Sequence, residues 1–413
     1  MSAGEVSNLA EGLLSDLKIV ELGSFISAAF CSKLMGDLGA DVIKVEEPGV
    51  GDEARRHGPF YKDIPDPETS GLFLYLNTNK KSVTINVKGT TGKKVLLDLL
   101  EDADIFVENN PPAVMEELGL TYEVLSKINP RLIMTSITYF GQTGPYRDYK
   151  GSDLIAMSLG GVAYGTPITV EDPEANRPLR GGGHQAEFTA GAAAASTTMG
   201  AIFYRMFNDE GQHIDISVSD VIATLPRNAM ATYLYGGPVP KRSPDSVLPL
   251  STRIYKTKDG FAAIGAAADQ HFANMVKAMG SPEWADNPMF ATREGRAEFG
   301  DALGAMVQDW VSDYTTYDAY TLLQQFHVPS FPVNRIDDIV SSGHLNDRGV
   351  FVEVDHPKTG KVLYPGSAAR YSEEVWSIRA PAPFLGQHND EILCQRLGYS
   401  REQLVQMTQL GVI

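Results

Sequence analysis

The chain has 413 residues, 43% of them hydrophobic and 21% charged, with 52 acidic against 35 basic residues and a formal net charge of −17. That composition buries a sizeable core, points to more than one domain, and disfavours nucleic acid and anionic lipid as partners. No apolar run approaches the roughly eighteen residues of a membrane span, and two cysteines, Cys31 and Cys394, make neither a disulfide framework nor a Cys-based metal site.

Met1–Glu5 lacks a basic segment followed by an apolar block, so no signal peptide is expected and the reading is a cytoplasmic, reducing setting. Residues 17–22 predict a buried strand, 27–38 a helix with Phe30, Leu34 and Leu38 four apart, and 41–46 a second strand. This is a βαβ unit. A second unit follows, with a strand at 82–87, a helix at 91–101 and a strand at 103–108. A helix near 114–118 and a strand at 132–137 extend a largely parallel sheet.

Residues 141–185 read as loops with one short helix, and 187–208 as a long helix whose Gly and Ala permit close approach of another backbone. A strand at 213–218 leads into helix as far as Tyr235, then a Pro-rich linker at 237–249. Strands near 253–255 and 261–264 open a smaller α+β region, and the last 80 residues return to strands and turns with a helix at 389–397. The expected domains are 1–225 and 336–413 for the large α/β part and 226–335 for linkers and a small α+β domain.

Several motifs resemble the family III coenzyme A-transferases. They include Leu17–Leu22, Leu38–Glu46, Asn77–Val83, Ala103–Asn109, Ile128–Ile133 and Phe140–Pro145, then Gly349–Val354 and Ala382–His388 late in the chain. The resemblance implies a Rossmann-like large domain from both chain ends, a small central domain, and two ring-like chains interlocked as a dimer. It implies CoA transfer from an acyl-CoA such as succinyl-CoA to an organic acid, through an enzyme-carboxylate anhydride and thioester. The family's nucleophilic aspartate falls on Glu187, one methylene longer. No metal is expected.

By the same resemblance, Ser27, Ile85, Lys88 and Asn109 bind CoA, as do Asn110, Tyr139, Phe140 and Gly141. Lys80 and Lys81 are further candidates for its phosphates. Pro111 and Glu117 stand where many relatives carry Arg, and Glu46 and Glu47 occupy another usually basic place. Each acid opposes a phosphate. Some members are heteromers of two related chains, as in benzylsuccinate activation within aromatic acid degradation. The alternatives are therefore a homodimeric enzyme, or a non-catalytic subunit paired with an active paralogue. Racemases of the superfamily use a His-Asp pair where this chain has Ser152-Asp153, so an acyl-CoA racemase or isomerase is disfavoured. Asp153 reads as structural, and His184 as a loop residue outside the chemistry.

Overall fold

The computed structural model describes residues 12–242, 253–266 and 268–413, so most of the linker expected at 237–249 lies outside the described residues. The described chain forms two compact units, one of residues up to Ala163, Arg180–Tyr235 and Arg348–Ile413, the other of Tyr164–Leu179 and Gly236–Asp347.

The first unit is built on a parallel sheet of β1 (Lys18–Leu22), β2 (Asp41–Glu46), β3 (Lys80–Thr84), β4 (Ile105–Glu108), β5 (Ile133–Thr138) and β6 (His213–Ser217), in the order β3-β2-β1-β4-β5-β6. Both faces are covered, so the strands are apolar at successive positions. Ile19, Val42 and Ile105 enter one core, against α1 (Ser27–Gly36) and its neighbours. The alternate residues Val20, Ile43 and Phe106 enter the other. That second layer includes α3 (Thr90–Leu100) and α5 (Tyr122–Ile128), a helix the sequence reading passed over.

Before Tyr235 this unit also carries helices α2 (Gly71–Leu76), α4 (Pro112–Leu118), α6 (Asp153–Leu159), α7 (Gln185–Asn208), α8 (Val218–Ala223) and α9 (Arg227–Leu234). Gly191 lets α7 lie on α1, because a Cβ there would stand 2.7 Å from the Ser27 carbonyl oxygen.

A buried ion network underlies the β1–α1 turn. Glu21 accepts from Lys44 at 2.5 Å, Lys80 at 2.8 Å and Ser32 at 2.6 Å. Burial opposes its charge, yet the two lysines outweigh burial and pull the carboxyl down to about 2. Lys44 also donates to the Gly23 carbonyl at 3.1 Å and pairs with Asp52, which accepts from the Phe25 N–H at 2.9 Å.

The chain returns to this sheet at its far end. Strand β3 stands at the sheet's edge, where its outward N–H groups at Ser82 and Thr84 donate to His388 Nδ1 (3.1 Å) and Asn389 Oδ1 (2.9 Å). The Asn79 side chain holds the backbone of Ser377, Arg379 and Ala380. Beyond the helix at Asp390–Arg396 lies another, Arg401–Gln409, which the sequence reading did not include.

In the second unit, β7 (Arg253–Lys256), β8 (Phe261–Ile264) and β9 (Ser330–Pro332) pair antiparallel. They share a core with Phe272, Leu303, Val307 and Leu323 from helices Asp269–Ala278, Gly300–Val311 and Thr316–Gln325.

Candidate active site

The strand order reverses between β1 and β4, and the crevice beyond their carboxyl ends is where open α/β sheets bind ligands. Gly23 starts the turn out of β1, where a Cβ would overlap that of Ala28 at 2.3 Å. Asn109 spans the crevice, accepting from the Ser24 N–H (2.9 Å) and donating to the Ser24 carbonyl (2.7 Å) and Ser27 Oγ (3.0 Å). Asn110 donates to the Leu22 carbonyl, and Glu108 accepts from the Asn110 N–H at 2.7 Å. These residues therefore shape the crevice.

A cavity of about 710 Å³ opens on one side of this clamp, lined by Ser24, Ile85, Lys88, Lys93 and Asn110 together with the acids Glu47 and Glu117. Lys88 is paired with Glu47 at 3.1 Å. Lys93, which the sequence reading missed, supplies a second cation there. Lys80 and Lys81 do not: Lys80 is buried against Glu21, and Lys81 pairs with Asp41 and Glu391. Hydrophobic patterning cannot announce a lysine neutralised inside a sheet.

On the other side lies a cavity of about 630 Å³ that shares Ser24 and Asn110 with the first and reaches His184 and Glu187. A smaller pocket of about 250 Å³ brings Ser27, Asn109, Tyr139 and Phe140 to Glu187. Gly141 lines none of these cavities. It turns at φ +82 beside Asp215.

Glu187 stands in the first turn of α7 and is 5% exposed. The Tyr139 hydroxyl donates to its Oε1 at 2.5 Å, and His184 Nδ1 lies 3.2 Å from its Oε2. Burial holds the carboxyl above its ordinary value, opposed by Tyr139 and His184 and reinforced by Asp153. Asp153 accepts from the Ala186 N–H and from Arg180, both at 2.8 Å, and so fixes the start of α7.

His184 thus belongs to the site. It adopts a left-handed conformation at φ +55, and its ring meets Phe25 edge-on. Asp153, His184 and Glu187 bring ligand atoms within 4.8 Å of one another, a convergence their spacing did not announce. Internal donors already engage both carboxylates. A racemase needs its acid and base on opposite faces of a substrate carbon. In this structure His184 Nδ1 and Glu187 Oε2 lie 3.2 Å apart, in contact with each other.

The family model for CoA-transferase family III matches residues 14–389. Succinyl-CoA:glutarate CoA-transferase of Mus musculus is 34% identical over 97% of this chain and 90% of its own length. The succinyl-CoA–L-malate CoA-transferase beta subunit of Chloroflexus aurantiacus is 33% identical over 97% of this chain and 98% of its own. A CAIB/BAIF family protein from Brucella suis superposes with a TM-score of 0.80 at 28% identity, covering 94% of this chain and all of that one.

The chain belongs to CoA-transferase family III. Its activity is acyl-CoA:carboxylate CoA transfer, with CoA thioesters as substrates. Among the described residues no helix is long and apolar enough to cross a membrane.

Proposed function

We propose that Glu187 is the nucleophile of a transferase that takes CoA from a succinyl donor and passes it to a dicarboxylic acid. The observation that carries this reading is a buried carboxylate at the start of a helix, both oxygens engaged, lining a cavity that shares Ser24 and Asn110 with the larger cavity of about 710 Å³. The nucleotide end of the acyl-CoA lies between Lys88 and Lys93, and its thioester passes Ser24 and Asn110 to reach Glu187. The succinyl and dicarboxylic assignments rest on the names of the two relatives.

Ionised Glu187 attacks the thioester carbonyl, expelling CoA thiolate and forming a mixed anhydride. The thiolate then attacks the Glu187 carbonyl carbon, releasing the donor carboxylate and leaving a Glu187–CoA thioester. The acceptor acid repeats both steps in reverse. Trapping with hydroxylamine during turnover of succinyl-CoA should mark Glu187 by peptide mass spectrometry, and Glu187→Gln should lose both the mark and the activity. Full activity in Glu187→Gln, or a mark elsewhere, overturns the assignment.

A specific observation also favours association with another chain. Phe203, Met206 and Phe207 on α7, with Tyr233 and Leu234 on α9, expose 60–74% of their surface, an apolar density that marks interaction faces. We take the assembly to be an interlocked dimer of like or related chains. Glu47 and Glu117 oppose phosphates, which supports the heteromeric form in which a partner performs catalysis. Calorimetry of CoA binding to the chain alone, with light scattering for its mass, separates the two. Micromolar binding by a homodimer supports the catalytic reading. A folded chain that binds no CoA moves catalysis to the partner.

A further inference from the structure

We propose that Tyr139 is the oxyanion donor for the acyl transfers at Glu187, an assignment that rests on Glu187 being the nucleophile. Its hydroxyl lies 2.5 Å from Oε1, in a setting where Glu187 is almost wholly withdrawn from water. Each time a thiolate or carboxylate adds to the Glu187 carbonyl carbon, one oxygen becomes an alkoxide while the other group departs. In the anhydride, Oε2, on the His184 side, is joined to the acyl carbon, and Oε1 remains the carbonyl oxygen. Thiolate addition then forms the C–S bond, places the negative charge on Oε1, and returns it as the C–Oε2 bond breaks. Tyr139 donates its hydrogen bond throughout and transfers no proton.

The hydroxyl is held for this task. The Tyr139 carbonyl accepts from the Ser219 N–H at 3.1 Å, fixing the turn after β5. Its ring lies so close to Gly151 that a Cβ there would stand 2.2 Å from the ring's Cγ. Gly151 has no left-handed φ that would require glycine, so clearance for this ring is what its missing side chain provides. Burial and the neighbouring Glu187 push the phenol far above its usual range, so it remains a neutral donor.

Tyr139→Phe keeps the ring and removes the donor. The expected result is a kcat about a hundredfold lower, the loss typical of one oxyanion donor, with KM for succinyl-CoA within about twofold. Gly151→Ala displaces the ring and should give a similar loss. Combined with Tyr139→Phe it should add little, because both act through one hydroxyl. Should Tyr139→Phe fail to fold, Gly151→Ala alone decides. An unchanged kcat, or a loss confined to KM, overturns the inference. Glu187→Gln separates the two levels: if it is inactive while Tyr139→Phe is fully active, only the role of Tyr139 falls, and if it is active the nucleophile assignment falls as well.

Discussion

Burial raises the pKa of Glu187 while Tyr139 and His184 lower it, so the ionisation of one carboxyl reports directly on its two partners. The nucleophile must be charged, so kcat/KM should fall as pH drops through a value above the ordinary glutamate range. Tyr139→Phe removes a lowering influence and should move that acid limb to higher pH; His184→Asn should act in the same direction. A pH profile of kcat/KM for each variant checks this, and an unmoved limb means that neither partner is coupled to the charge. The position of Glu187 at the start of a long helix was legible in the sequence, because the small-residue run of 187–208 marks that helix. The contacts with His184 and Tyr139 were not, although Tyr139 was already expected at the CoA site. Tyr139 lies 48 residues away along the chain, and only the packing of α7 on β5 brings the two together.

Among the elements, β1, β2 and the long α7 were legible because apolar periodicity marks them. Strand β3 was expected at 82–87 and runs Lys80–Thr84, since Lys80 looks like a solvated charge until Glu21 is placed beside it. At the end of β4, burial pushes the Glu108 carboxyl up to about 7. Between its ordinary 4.5 and that value the folded chain binds more protons than the unfolded chain, so Glu108's contribution to stability falls as pH rises and is a net cost above 7. Glu108→Gln mimics the protonated form. Its melting temperature relative to the parent should therefore climb from about pH 5 to about pH 8, and a pH-independent difference contradicts the ionisation argument. Where α7 meets α1, Gly191→Val should lower stability by about 1–3 kcal/mol through overpacking, read from the urea midpoint.

For the molecule as a whole, the return of the chain to its first sheet was legible only as a family resemblance. No local pattern states that His388 and Asn389 will meet Ser82 and Thr84. Removing residues 377–413 should leave the first unit aggregated, as judged by size-exclusion chromatography. A monodisperse, folded fragment would show that the sheet needs no such closure. The same arrangement imposes an order on biosynthesis. All six strands have been synthesised once Ser217 is added, but the rim of β3 keeps open donors until residues near Asn389 are made and emerge. A half-made chain thus displays a template for pairing with its neighbours on a polysome. A chaperone that grips extended segments would have its work on this protein during translation, and little to hold once the last residues are home.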